Sequence, residues 1–168
     1  MRFLWLLPIL GVVSLDQITK YLVAANMRLH ESIPVLEGIL NLTYIHNKGA
    51  AMGMLQNNRW VFMIISALTV IGISIIMFSQ YKKYYNPLLY TALSFIVGGG
   101  IGNMIDRVYL GYVIDFVDVR FIPFWKWIFN MADIFVCVGC GLVILYIILD
   151  DIKASKQKKA DGESAINS

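Results

Sequence analysis

The chain has 168 residues, 58% of them hydrophobic and 15% charged, with a formal net charge of +3. A mean hydropathy of +0.67 is more apolar surface than a soluble domain of this length can bury, so a water-soluble globule is excluded and an integral membrane protein of one compact domain is indicated. So small a positive excess gives no case for a nucleic-acid partner.

Four apolar runs approach or reach the roughly 20 residues needed to cross a hydrocarbon core about 30 Å thick. They are residues 3–25, 60–79, 87–105 and 127–149. The predicted fold is therefore an all-α membrane protein with four transmembrane helices within residues 1–150, followed by a charged cytoplasmic tail over residues 151–168. Lys and Arg sort by loop: Arg2 precedes the first run, Lys82 and Lys83 lie in the short turn over residues 80–86, and Lys153, Lys156, Lys158 and Lys159 lie in the tail. The positive-inside rule then puts both termini and the short turn in the cytoplasm, and the long loops over residues 26–59 and 106–126 outside. A cleaved secretory signal ending near Val23-Ala24-Ala25 competes for the N-terminus. Asp16 and Lys20 fall just before that site, where a signal peptide tolerates charge poorly, and this favours retention as the first span.

In the first span Asp16 and Lys20 stand at i and i+4, acid first, the favourable order for a same-face pair. The helical rise puts Asp16 about 10 Å below the outer surface and Lys20 one turn further out, where it is expected to snorkel toward the interface. The pair reads equally as a structural ion pair or as part of a site. In the first outer loop, residues 39–47 are β-branched and aromatic, Asn47-Lys48-Gly49 signals a turn, and residues 50–55 return as a second extended run. A small extended cradle within about residues 30–58 is the expectation, resting on the bilayer or the helices. His30 and His46 are isolated in sequence and argue against a metal site.

The second span contains no ionisable residue and reads as lipid-facing scaffold. The third has Gly98, Gly99, Gly100 and Gly102, including a G-x-x-x-G pair that admits close helix approach. Gly99, Asn103 and Arg107 share one face of it, whereas Asp106 points elsewhere and reads as structural. The fourth carries Asn130 and Asp133 on one face. Cys137 and Cys140 lie mid-span and are expected to be packed, inert thiols. The tail alternates acids and lysines and is expected to be solvated and disordered, its lysines near anionic headgroups.

An ionisable residue at membrane depth costs roughly 2.5–3.5 kcal/mol, which makes each one a functional hypothesis. Asp16, Asn103, Arg107, Asn130 and Asp133 come from three spans, yet the helical rise places each within about 10 Å of the outer boundary. Asp115 enters at that level from the loop joining the third and fourth spans. Two carboxylates in such a site share a proton, one serving as general base on a water while the other polarises a carbonyl. Asp115 and Asp133 suit this, with Asn47, Asn103, Arg107 and Asn130 holding a backbone carbonyl or orienting the pair. No Ser, Cys or His is placed as a nucleophile beside a base. The alternatives are a small cation-coupled transporter, a lipid transferase with Asp115 and Asp118 on Mg²⁺, and a non-enzymatic scaffold. Off-centre sites and loops of unequal length weigh against the transporter.

The stretches DQITK (residues 16–20), NKGAA (47–51), GGGIGNMIDR through GYVIDF (98–116) and NMAD (130–133) resemble, in order and spacing, the motifs of the bacterial lipoprotein signal peptidases, signal peptidase II. The likeness covers all four spans and the first outer loop; only the tail from about Asp150 is unmatched. It implies a cofactor-free, metal-free intramembrane aspartyl endopeptidase of the bacterial cytoplasmic (inner) membrane, working as a monomer among membrane lipids. Its substrates would be diacylglyceryl-modified prolipoproteins, cut just before the lipidated cysteine near the outer face. On matching positions, Asp115 and Asp133 would be the catalytic dyad. Asn47, Gly99, Asn103, Arg107 and Asn130 would line the substrate pocket, supported by Asp16 and Lys20. Met52 departs from the aromatic residue found in many relatives.

Overall fold

A computed structural model describes residues 3–49, 59–81, 85–121 and 127–166. In chain order the elements are α1 (Leu6–Asn26), β1 (Ser32–Leu36), β2 (Leu40–Asn47), α2 (Arg59–Ser79), α3 (Pro87–Tyr109), β3 (Val113–Val119), β4 (Ile128–Phe129) and α4 (Met131–Ile166). The predicted return strand over residues 50–55, Met52 included, lies outside the described residues. Among the described residues three helices are long and apolar enough to cross a bilayer: Leu6–Asn26, Pro87–Tyr109 and Met131–Lys158. In α2 the apolar stretch is the shorter Met63–Ser79.

Local chemistry explains where these helices start. Asn86 precedes α3 and accepts from the backbone N–H groups of Leu88 and Leu89, at 2.9 and 3.3 Å, while Pro87 occupies the first helical position, where its missing N–H costs nothing. Pro8 is tolerated for the same reason in the first turn of α1. Helix α3 is central and packs against α1, α2 and α4. Its glycines make this possible. A Cβ on Gly98 would meet Val12 of α1 at 2.8 Å, and one on Gly99 would collide with the Ala132 carbonyl of α4. Large apolar side chains such as Leu7, Leu10, Leu68, Ile71 and Ile144 cover the outer faces of the bundle, a surface suited to lipid rather than water.

The β-strands form one antiparallel sheet in the order β1-β2-β3-β4. The cradle expected from the first outer loop alone is thus shared between both outer loops: β2 pairs with β1 on one side and with β3, from the α3–α4 connection, on the other. The run VIDFVDV, expected as a loop carrying Asp115, is β-branched and alternating enough to form a strand, and it does. A bulge in β2 sets two residues, Thr43 and Tyr44, against Phe116 of β3, between the Leu42–Val117 and Ile45–Asp115 pairs.

Two further expectations are corrected. Cys137 and Cys140 are exposed on α4, so they face the lipid side rather than packing inside. Helix α4 also runs on to Ile166, where a disordered tail was expected; Ala, Lys and Gln over residues 154–160 are good helix formers, and a helix already nucleated in the bundle extends through them at little cost.

Candidate active site

Asp133 is the third residue of α4, and Asn130 immediately precedes that helix. The two cap each other: the Asp133 N–H donates to Asn130 Oδ1 at 3.0 Å, and the Asn130 N–H reaches Asp133 Oδ2 at 3.4 Å. This reciprocal arrangement satisfies N–H groups that a helix start leaves open, and it places a carboxylate where the helix dipole favours negative charge. Because its carbonyl oxygen is held by that N–H, Asn130 turns its Nδ2 outward. There it donates to Asp115 Oδ1 at 2.6 Å and to Asn103 Oδ1 at 3.0 Å.

Asp115 arrives on β3. It sits opposite Ile45, so Asn47 is its diagonal neighbour on the same face, and Asn47 Nδ2 donates to Asp115 Oδ2 at 2.8 Å. The turn predicted after Asn47 is present, with the Gly49 N–H on Asn47 Oδ1 at 3.0 Å. Each Asp115 oxygen thus has one amide donor. The carboxyl is nevertheless pushed up to about 7, first by burial and then by the negative charge of Asp133. Asn103 completes the group. Its Nδ2 donates to Asp133 Oδ1 at 2.7 Å, and its backbone carbonyl accepts from Arg107 Nη1 at 3.2 Å.

Behind the two aspartates lies an ionic cluster. Lys20 is 2% exposed and bonds Asp16 at 2.8 Å, Asp106 at 3.0 Å and Asn103 Oδ1 at 3.0 Å. The expected i, i+4 pair is therefore formed, but Lys20 points inward and does not snorkel; inward, every ammonium hydrogen finds an acceptor, which offsets the cost of taking the charge out of water. Asp16 also accepts from the Ala132 N–H at 2.9 Å, capping the first turn of α4 from α1. Asp106 accepts from the Ile114 N–H at 3.1 Å and so ties the start of β3 to α3, in keeping with a structural role. Gln17, which sequence reasoning passed over, joins all of these: its Nε2 meets Asp16, Asp106 and the Gly102 carbonyl at 3.1, 3.0 and 3.2 Å. An amide beside Asp16 in an apolar run was the signal available for it.

The predicted site residues Asp16, Lys20, Asn47, Asn103, Asn130, Asp115 and Asp133 therefore form one continuous hydrogen-bonded network, with Arg107 beside it. Gly99 serves helix contact, since the space a Cβ would take is filled by Ala132 and Val136 of α4. Asp118 is on the other face of β3, three residues from Asp115. It accepts from Thr43 Oγ1 at 2.7 Å and pairs with Arg120, so it does not converge with Asp115 on a shared ion. His46 is not isolated: it meets the Tyr44 hydroxyl at 2.8 Å and stacks on Tyr112 with centroids 3.8 Å apart.

The sequence profile of Signal peptidase (SPase) II matches residues 8–149, which include every member of this network. The chain belongs to the signal peptidase II family. This peptidase is 44% identical over 151 residues to a lipoprotein signal peptidase of Halalkalibacterium halodurans, covering 90% of this chain and 96% of that one. It is 46% identical over 142 residues to a lipoprotein signal peptidase of Brevibacillus brevis, covering 84% and 93%. A solved bacterial membrane enzyme superposes with a TM-score of 0.80 at 34% identity over 88% of each chain. The peptidase is therefore an aspartic peptidase and a membrane enzyme, as its motifs implied.

Proposed function

We propose that this peptidase removes signal peptides from diacylglyceryl-modified prolipoproteins, cutting just before the lipidated lipobox cysteine, with Asp115 and Asp133 as the catalytic dyad. The observation that carries the reading is Asn130: one side chain bonds the buried Asp115 carboxyl and caps the backbone of the half-buried Asp133, tying both aspartates to one amide. Two such groups share one proton near neutral pH.

The ionised member takes a proton from a water that attacks the scissile carbonyl, and the protonated member hydrogen-bonds the carbonyl oxygen as negative charge develops there. Collapse of the tetrahedral species breaks the C–N bond, and the proton passes to the departing amine. Asn103 and Arg107 supply donors around the same place, and Asn47 keeps Asp115 turned toward it. A signal-peptide helix would lie along the bundle, with its scissile bond entering beneath the sheet. Asp133 is two residues into α4, so the chemistry occurs about 3 Å along that helix from its outer end.

The accompanying topology is four spans, α2 included, with both termini cytoplasmic in a bacterial inner membrane, acting as a monomer. Tail lysines such as Lys153 and Lys156 are exposed and lie beyond the apolar part of α4, where anionic headgroups would meet them. Cleavage of a lipobox peptide by the purified protein in detergent, with and without the diacylglyceryl group, tests the assignment. Cleavage confined to the lipidated peptide is expected; equal cleavage of both, or of neither, would overturn it.

A further inference from the structure

The ammonium of Lys20 bonds more than its two carboxylates. Its third partner is Asn103 Oδ1, at 3.0 Å, and that same oxygen accepts from Asn130 Nδ2 at 3.0 Å. An ammonium has donors only, and so does the amide nitrogen of Asn130. The carbonyl end of Asn103 is therefore clamped between two donors. Its other end, Nδ2, is left with one direction, and Asp133 Oδ1 is there at 2.7 Å. Turning the amide over would set an NH₂ against an ammonium and a carbonyl against a carboxyl. Lys20 itself cannot drift, because Asp16 of α1 and Asp106 of α3 hold it at 2.8 and 3.0 Å in a site that is 2% exposed.

We propose that Lys20 is a positioning residue of the peptidase: it fixes the orientation of the Asn103 amide and thereby presents a hydrogen-bond donor to Asp133. It touches neither aspartate of the dyad and acts through Asn103. The charged groups around Asp133 are Asp16 and Lys20 from α1, Arg107 from α3 and Asp115 from β3. Among these Lys20 is the one whose direct bond sets an intervening amide. The inference rests on Asp115 and Asp133 being the dyad, and it goes further in giving a buried cation outside the dyad a part in the reaction.

Removing Lys20 alone would leave two carboxylates facing each other. The variant of choice is therefore Lys20→Met combined with Asp106→Asn, which keeps the net charge of the cluster unchanged. Cleavage of the lipidated lipobox peptide is followed in detergent for wild type, this variant, Asn103→Ala and the combination of all three substitutions, with Tm measured for each. A misplaced donor at a reacting group costs ~100-fold, so kcat should fall by about that much with KM within ~3-fold of wild type. Adding Asn103→Ala should then cost no more than a further ~2-fold, because residues acting through one contact do not add. A lowered Tm with kcat intact, or multiplied losses in the combined variant, would assign Lys20 a purely structural role and overturn the proposal. Failure of the wild type to cleave the lipidated peptide would instead remove the proposed function, and the inference with it.

Discussion

Asn130 Nδ2 lies 2.6 Å from Asp115 Oδ1, while the carbonyl of the same side chain holds the Asp133 N–H at 3.0 Å. A single amide thus fixes the separation of two carboxyls that come from a strand and a helix. Replacing Asn130 with Ala should lower kcat by ~10²-fold or more, since it loosens both partners, and should destabilise α4 by about 1 kcal/mol through the lost cap. Steady-state cleavage and thermal unfolding in detergent measure the two effects separately.

In the proposed mechanism, exchange of either dyad carboxyl for an amide removes the proton transfer itself. Asp115→Asn and Asp133→Asn should each reduce cleavage by ~10³-fold, within the usual range for loss of a general acid or base. The double variant should be little worse than either single one, because the pair works as a unit.

The elevated Asp115 carboxyl has a consequence for stability. In the folded protein it titrates at about 7, whereas an unfolded aspartate titrates near ~3.9. Between those values the folded state retains a proton that the unfolded chain has released, so this group's contribution falls as pH rises through the window. The Tm of Asp115→Asn relative to wild type should therefore be higher at pH 8 than at pH 5, whatever the lost acceptor costs at both. An equal difference at both pH values would contradict the burial and charge assigned to this carboxyl.

The glycines of the bundle separate cleanly. A Cβ at Gly102 would lie 2.5 Å from Asp16 Oδ2, and one at Gly99 would strike backbone of α4, whereas Gly11, Gly72 and Gly141 have open space within 4 Å. Gly99→Ala and Gly102→Ala should cost ~1–3 kcal/mol and reduce activity by moving α1 or α4 off α3. Gly11→Ala and Gly72→Ala should be neutral or stabilising by up to ~1 kcal/mol. Unfolding midpoints of the four variants decide this.

Asp118 offers a control on the same strand. Its partners are Thr43 and Arg120, on the face of β3 away from Asp115. Asp118→Asn should lower stability by ~1 kcal/mol and leave kcat within ~2-fold of wild type. Strong loss of activity in this variant, reversed by added Mg²⁺, would revive a metal-dependent reading.

Much of the site was legible because membrane depth is a strict filter. Polar residues such as Asp16, Asn103 and Asp133 stand out in apolar runs, and the rise per residue alone brings them to one level. Periodicity does not report what a side chain bonds once it is there. Lys20 was expected to reach for water because nothing local shows that Asp106 and Asn103, 83 or more residues away, converge on it. The sheet was half visible for a related reason. The β2 segment announces itself by composition, but its partner β3 was read for its acids, and strand pairing across about 70 residues leaves no local mark. The two cysteines were misplaced because an apolar helix has no polar stripe to tell its protein side from its lipid side.

The bond from the Ala132 N–H to Asp16 spans 116 residues, joining the first helix to the last. The bonds of Asn130 and Asp133 to Asp115 and Asn103 also wait for that last helix, since both residues stand at its threshold. The part of the chain that ends with α3 carries Asp16, Lys20, Asn103 and Arg107 but neither aspartate of the proposed dyad. The proposed dyad is therefore complete only when the two ends of the fold have met.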